Sequence, residues 1–305
     1  MPTFSYVRPR SLKEAIQHLS SDGARVHAGG TDLLGCLRDN VFVTRKVVSI
    51  SGLKDLRGIQ DTKEGGLRIG ALTTIAEIAN SKTVSDRYPA LARGASEVAS
   101  PQLRHQGTIG GNLCQKPRCW YYRGEFHCLR KGGNTCYAYQ GENQYHCIFG
   151  SGHICYIVHP SDTAPALVAY EATVRVAGPR GTKPLPLEKF YVLPGQNVQK
   201  ETILKSNEIL TEILLPPPPK GSRSSYRKVR ARQSWDFAVA GVALSLKFNE
   251  DLVEKTRVVL SGAAPIPWRS KEAEQALTGN RLKPATIKRT CLLYTSPSPR
   301  DRTRS

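Results

Sequence analysis

Six of the chain's eight cysteines fall between positions 114 and 155, spaced Cys114-x4-Cys119-x8-Cys128-x7-Cys136-x10-Cys147-x7-Cys155. The segment around them is polar and aromatic, with Trp120, Tyr121, Tyr122, Phe126, Tyr137, Tyr139 and Tyr145 interleaved, and it has little periodicity. Such a stretch cannot bury a core by itself and needs a cross-link or a ligand to be ordered. Three chemistries compete. Disulfides suit a secreted chain, but Met1-Pro2-Thr3-Phe4-Ser5-Tyr6 has neither a basic n-region nor an apolar h-region. Zinc sites usually show Cys-x-x-Cys knuckles, and the spacings contain none. An iron–sulfur cluster needs four converging thiolates, which long irregular spacings in a loop can supply. By chemistry alone a cluster and an unusual zinc loop stand level, with disulfides behind. A cluster leaves one or two of the six as bystanders; Cys36 and Cys291 are isolated.

The frame around this insertion reads as regular. A chain of 305 residues is long enough for two domains, or three small ones. Ser11-Leu12-Lys13-Glu14 is a capping-box pattern, and Leu12, Ala15, Ile16 and Leu19 share one helical face. Arg25–Ala28, Val47–Ile50 and Leu67–Ala71 read as strands; Thr74–Ala79 and Leu91–Val98 read as helices. After Pro160 a helix over Thr163–Tyr170 and a strand over Ala172–Ala177 are expected. Pro216–Pro219 is a stiff break and a domain boundary. Beyond it, Val242, Leu244, Leu246 and Phe248 alternate as in a half-buried strand. Val253–Leu260 pairs with that strand through a turn at Asn249–Asp251, and Lys271–Leu277 and Lys283–Thr290 are helical. The stretch Leu292–Ser305 is Ser/Pro/Arg-rich, resembles translated adapter read-through and reads as foreign to the fold.

The formal net charge is +19, but no Lys/Arg run exceeds two residues. Scattered charge describes a solvated face better than a nucleic-acid stripe, with an acidic partner subunit as the second reading. No stretch approaches the ~20 apolar residues of a membrane helix, so neither nucleic acid nor membrane is the expected partner, and the cytoplasm is the expected location.

Two glycine-rich turns point to an anion. Gly29-Gly30-Thr31 follows a strand and precedes a helix, so its N–H groups are placed to meet a phosphate. Gly107-Thr108-Ile109-Gly110-Gly111-Asn112, read as a loop, repeats the logic and adds the Thr108 and Asn112 side chains. Together the turns fit a dinucleotide, although a pair of tight structural turns explains the spacing about as well. No Gly-x-Gly-x-x-Gly pattern follows a strand, which argues against a Rossmann site.

Taken in order, these elements resemble the FAD-binding medium subunit of the xanthine dehydrogenase and molybdenum hydroxylase family over about residues 1–290. The resemblance rests on Phe4-x-Tyr6-x-Arg8-Pro9-x-Ser11-Leu12-x-Glu14-Ala15, Ala28-Gly29-Gly30-Thr31-Asp32-Leu33 and Arg104-x-x-Gly107-Thr108-Ile109-Gly110-Gly111-Asn112-Leu113. It continues through His159-Pro160-Ser161-Asp162-x-Ala164-Pro165-Ala166-Leu167, Tyr226-x-Lys228-Val229-x-x-Arg232-x-Ser234-x-Asp236-Phe237-Ala238 and Ser261-Gly262-Ala263-Ala264-Pro265. The Cys-rich segment is similar to the insertion of a sub-branch that carries an extra 4Fe–4S cluster, which includes 4-hydroxybenzoyl-CoA reductase and periplasmic aldehyde oxidoreductase.

The resemblance implies an α+β chain: a vanillyl-alcohol-oxidase-like (PCMH-type) FAD-binding domain over 1–215, then a C-terminal domain over 220–291, expected to be truncated. The first domain comprises two α/β subdomains, about 1–60 and 61–215, with the insertion at 114–155. It implies FAD and a 4Fe–4S cluster as cofactors, the latter on Cys119, Cys128, Cys136 and Cys155, with Cys114 and Cys147 not required. Ala28, Gly29, Gly30, Thr31, Asp32 and Leu33 form the first flavin-phosphate loop, in which the Gly29, Gly30 and Thr31 amides hold the pyrophosphate. Gly110 and Gly111 assist, Arg104 opens the second loop, and Thr108 and Asn112 contact the flavin side. Ser161 and Asp162 belong to a third contact region, and Lys228 approaches the isoalloxazine. Ser161 or Asp162 as a helix N-cap, and Lys228 as a surface lysine, are the structural alternatives. No catalytic residue is expected, because substrate chemistry in the family belongs to a large molybdenum-cofactor subunit and a small 2Fe–2S subunit relays electrons to FAD. An external electron carrier completes the expected partners, and a partner's export signal would make the location periplasmic. The rival functions are a zinc-stabilised nucleic-acid-binding module and a stand-alone FAD oxidase.

Overall fold

The computed structural model describes residues 3–293. The chain adopts the mixed α+β architecture expected from its sequence, with its strands gathered into three sheets among the described residues. The first sheet is small and parallel, in the order β1 (Ser5–Val7), β3 (Lys46–Ser49), β2 (Ala24–His27). Helix Leu12–Leu19 makes the crossover from β1 to β2 and buries Ala15 and Leu19 against Val48 and Ile50. Ser11 Oγ accepts from Glu14 N, but the Glu14 carboxylate accepts from Arg10 N at 2.7 Å, one residue before the reciprocal partner of a capping box. A box with both arms closed forms instead at Thr74 and Glu77.

The second sheet has the order β4 (Ile59–Asp61), β5 (Leu67–Gly70), β8 (Ile209–Leu215), β6 (Thr173–Gly178), β7 (Gly181–Pro186), all antiparallel. The long excursion between β5 and β6 carries five short helices, the Cys-rich segment and helix Thr163–Ala169. That last helix is buried along its whole length and ties the second sheet to the third, so one core runs from Ile69 and Ile213 through Leu167 to Tyr226 and Val259. Each such fully buried aliphatic side chain contributes about 1.5–3 kcal/mol.

The third sheet is the meander β9 (Ser222–Val229), β10 (Ala240–Asn249), β11 (Leu252–Ser261), β12 (Trp268–Arg269). The β10–β11 hairpin closes at the expected turn, with Asn249 opposite Leu252. Helices Lys271–Leu277 and Pro284–Leu292 follow it, and Ala273 and Leu277 pack on Val253 and Val258. Pro216, which opens the proline run, is pinned by Tyr88 Oη donating to its carbonyl at 2.8 Å. Leu292 ends the last helix, and positions 294–305 of the tail reading lie outside the described residues.

Two expectations need correction. Gly107–Asn112 is not a loop: Ile109–Leu113 is a helical turn, capped by Thr108 Oγ1 accepting from Gly111 N at 3.2 Å. Its glycines are there for contact, since a Cβ on Gly110 would sit 2.9 Å from the Ala71 side chain. Strand β9, with the sequence Ser-Arg-Ser-Ser-Tyr-Arg-Lys-Val, was invisible to a hydrophobic pattern because its anchor is the single buried Tyr226.

Candidate functional site

The turn after β2 is built for close backbone approach. A Cβ on Gly29 would lie 2.0 Å from the Gln106 carbonyl oxygen, and Gly30 has φ +75°. Gln106 Nε2 donates to Gly29 O at 3.1 Å, fixing this turn against helix Pro101–Gln106. Leu34 N is the first amide to bond back, to Gly30 O. Among the described residues the amides of Gly29, Gly30, Thr31, Asp32 and Leu33 meet no protein acceptor. Five consecutive N–H groups left open at a turn form an anion cradle.

Asp32 precedes helix Leu33–Arg38 but does not cap it with its side chain. Its carboxylate turns toward the Cys-rich segment, accepting from Lys116 N at 2.8 Å and Arg123 at 2.7 Å and pairing with Arg118 at 3.0 Å.

Around the second turn, Gly110 N donates to Ala71 O at 2.8 Å and Gly111 N to Thr108 Oγ1. The expectation that these two amides assist a pyrophosphate is therefore corrected, because both are already bonded within the protein. Asn112 Oδ1 accepts from Ser161 Oγ at 2.6 Å and Thr163 Oγ1 at 2.7 Å. Ser161 also accepts from Ala164 N at 3.0 Å, so Ser161 and not Asp162 caps the following helix.

Asp162 and Lys228 form a buried pair at 2.8 Å. Tyr226 Oη donates to the same carboxylate at 2.8 Å, and Lys228 Nζ also donates to the carbonyls of Glu97 and Asp236. Burial pushes the Asp162 carboxyl above its ordinary value, against the pull of Lys228 and Tyr226. Lys228 is thus neither a surface lysine nor turned to a ligand: its ammonium is fully buried with three acceptors. Arg104, likewise, donates to Val98 O at 2.7 Å and braces the second turn from behind.

Two cavities of about 710 and 770 Å³ meet at these turns, and Gly29, Gly30, Thr31, Asp32, Thr108 and Gly111 line both. Ala28, Leu33 and Gly110 line only the first, while Asn112 and Asp162 line only the second. Ser161, Lys228 and Arg104 line neither. Apolar Val26, Ile50 and Leu72 wall the first; Ile75, Leu103 and Phe237 wall the second. A dinucleotide laid across the junction, with its pyrophosphate on the open amides and a ring system in each cavity, fits this shape.

Beside the second cavity, Cys119, Cys128, Cys136 and Cys155 line one small cavity of about 10 Å³, together with His146, Arg130, Tyr121 and Tyr122. Cys128 and Cys136 are brought in by a tight turn in which Leu129 N bonds Thr135 O and Gly132 has φ +94°. His146 Nε2 lies 3.2 Å from Cys119 Sγ. A hydrogen bond from Cys155 lowers the Cys136 thiol despite burial, and donating that bond pushes Cys155 up. Burial raises Cys119 to about 11. Cys114 faces the first glycine cavity, and its thiol is pushed up to about 12 by burial; Cys147 is buried and does not itself line the cavity of the four, although its neighbour His146 and its backbone partner Tyr156 do. Among the described residues no group of three or more His, Cys, Asp or Glu side chains is arranged to hold a metal ion.

Several residues of this site were missed in the sequence. Cys36, isolated in the sequence, packs with Tyr122 and Cys128 and seats the Cys-rich segment on helix Leu33–Arg38. His146, Arg123, Arg130 and Glu201 carry no motif; the one available signal was the density of cationic residues beside cysteines.

Comparison with known proteins then fixes the family. Residues 2–218 match the FAD binding domain in molybdopterin dehydrogenase, and residues 224–299 match the CO dehydrogenase flavoprotein C-terminal domain. The aldehyde oxidoreductase FAD-binding subunit PaoB of Escherichia coli K12 is 36% identical over 282 residues, covering 91% of this chain and 87% of that one. The xanthine dehydrogenase FAD-binding subunit of Escherichia coli O157:H7 is 29% identical, covering 93% and 82%. Carbon monoxide dehydrogenase from Hydrogenophaga pseudoflava, solved lacking the Mo-pyranopterin moiety of its molybdenum cofactor, superposes with a TM-score of 0.77 at 25% identity, covering 99% of this chain and 90% of that one. With both domains matched in order and the glycine-lined cavities in place, this chain belongs to the FAD-binding medium subunits of the xanthine dehydrogenase and CO dehydrogenase family, and is an oxidoreductase subunit of the molybdenum hydroxylase type.

Proposed function

We propose that this chain is an electron-transfer subunit carrying both FAD and a 4Fe–4S cluster. It works beside a small 2Fe–2S subunit and a large molybdenum-cofactor subunit that holds the organic substrate, and exchanges electrons with an external carrier. The observation that carries the finer part of this reading is the gathering of Cys119, Cys128, Cys136 and Cys155 around one cavity, next to arginines that grip Asp32 of the glycine turn.

The donor set suits iron–sulfur ligation: four thiols from a loop, behind an aromatic wall of Tyr121, Tyr122 and Tyr137. Only about 10 Å³ is open among them, so cluster binding would have to move this lining. When bound, FAD supplies two-electron chemistry and the cluster single-electron relay. The chain's own residues do the holding. Open amides from Gly29 to Leu33 take the pyrophosphate, and Asn112, gripped by Ser161 and Thr163, presents its Nδ2 side to the ring system. The Asp162–Lys228 pair locks β9 under that wall, and Phe237 helps exclude water. The surplus of positive charge suits an acidic partner, an association expected to weaken as salt rises.

The test is the cofactor content of the complex as purified. One FAD and about four irons with matching sulfide per chain, beside a broad reducible shoulder near ~400 nm, are expected. Flavin without iron and sulfide would remove the cluster, and a colourless protein holding zinc would remove the whole reading.

A further inference from the structure

Among the described residues lining the thiol cavity, Arg130 carries the fixed positive charge, and its side chain is 1% exposed. Both terminal nitrogens are committed: Nη1 donates to Val198 O and Nη2 to Glu201. Glu201 is held in turn by Lys116 Nζ at 2.5 Å, and both residues also line the first glycine cavity. Arg130 Nε is buried and has no acceptor. A buried charged donor with no acceptor carries its desolvation cost with nothing to offset it. The rest of the structure satisfies Arg130 at two nitrogens and leaves the third open, on a side chain that borders four cysteines. The guanidinium also rests over the Tyr122 ring, 5.7 Å from its centroid, which limits its freedom to turn away.

We infer that Arg130 Nε–H is a built donor to a sulfur of the cluster held by these thiols, and that Glu201 fixes the guanidinium for that purpose. The inference rests on the cluster reading above and deepens it. A cationic hydrogen-bond donor favours the more negative, reduced state of a thiolate-bound cluster. Arg130 thereby raises the cluster's tendency to accept an electron relative to the flavin, and Glu201, as the compensating anion, lowers it.

The experiment compares wild-type complex with Arg130→Gln, Arg130→Lys and Glu201→Gln. Iron and acid-labile sulfide are measured first, then the cluster midpoint by redox titration followed by electron paramagnetic resonance, with the flavin midpoint as internal reference. Arg130→Gln should lower the reduced-to-oxidised ratio of the cluster at a fixed potential by roughly tenfold, the size of one lost charged hydrogen bond, leaving the flavin midpoint in place. Arg130→Lys, which keeps the charge but has no Nε–H, should shift it the same way by less, and is the readout if Arg130→Gln loses iron. Glu201→Gln should shift the ratio upward; a merely structural role for the pair would move all three variants in one direction. An unshifted Arg130→Gln or Arg130→Lys with full iron content overturns the role of Arg130 alone. Wild-type complex without iron and sulfide overturns the cluster reading and this inference with it.

Discussion

Around Gly29 and Gly111 the cavities stand open at about 710 and 770 Å³, whereas the four thiols a short way off enclose about 10 Å³. The two regions differ in what orders them. The second glycine turn is carried by helices buried against Ile69, Ile75 and Leu113, and the first by strand β2, whose Ala24 and Val26, with Ala28 just after, pack on the core of the first sheet, so their shape is paid for by the core. The Cys-rich segment holds only short helical turns; its apolar support comes from Cys36, Val41 and Tyr122 around Cys128 and Cys119 at one end and from Ile148 and Phe149 on the third sheet at the other, with the four thiols between. A preformed cradle survives without its ligand; a loop of this kind takes its stability from what the thiols bind.

With the proposed cluster on these thiols, its removal is the change with the largest expected effect. Chelation under oxidising conditions should raise trypsin cleavage after Arg118, Arg123, Arg130 and Lys131 on the order of 1,000-fold, about 4 kcal/mol of local stability. Cleavage in residues 3–113 should barely change. Equal protection of the insertion with and without metal would erase the contrast between the regions.

Acid should act on the preformed side. His159 is buried, its Nε2 3.3 Å from Leu113 O and its Nδ1 accepting from Ser161 N, an arrangement that requires the neutral ring. Burial lowers it from 6.5 to about 4. The unfolded chain takes up this proton below about 6.5 and the folded chain only near 4. Stability fully present above the unfolded value is thus lost as pH falls across that window, by about 3 kcal/mol. Denaturant unfolding at pH 7 and pH 4.5 should show this slope in wild type and a flatter one in His159→Gln; parallel curves would remove His159 as the cause.

Gly29→Ala comes next. A methyl group 2.0 Å from Gln106 O forces the first turn off the second. FAD affinity should fall by ~100-fold, or about 3 kcal/mol, while iron content per chain is kept. Flavin and iron falling together would mean that the cradle and the thiol loop are not independent.

Legibility in the sequence follows the same divide. Gly29-Gly30-Thr31 was readable because only glycine tolerates the approach to Gln106, and a strand ahead with a helix behind told where its amides point. The cysteines were readable by type: Cys119, Cys128, Cys136 and Cys155 line one cavity, which Cys114 and Cys147 do not line. What escaped were partners of no special type joined across long loops. Arg130 finds Glu201 across 71 positions, Asp32 finds Arg123 across 91, and Lys228 finds the Glu97 carbonyl across 131. A pattern of local periodicity has no access to such pairs, which is why Lys228 was assigned to the ring when its bonds lie in the protein. Gly107–Asn112 failed for the opposite reason: glycine content argued for a loop, and contact with Ala71 stabilised a helical turn instead.

Asp32 gives the smallest expected effect and the sharpest test of the comparison, because it belongs to both regions. Its amide stands open toward the cavities, while its carboxylate holds Arg123 and Lys116 N at 2.7 and 2.8 Å and pairs with Arg118. Asp32→Asn keeps the shape and one acceptor oxygen but removes the charge that two arginines share. The loss of a charged hydrogen bond of this kind is about 1.5 kcal/mol, roughly tenfold. Because Arg118 and Arg123 flank Cys119, that loss should appear first as faster release of iron, at a rate up by about tenfold. FAD affinity should fall less, since the open backbone amides of the turn are untouched. If flavin release responds more strongly than iron release, the carboxylate serves the cradle and not the loop, and the line drawn here between a region ordered by the core and a region ordered by its ligand runs in the wrong place.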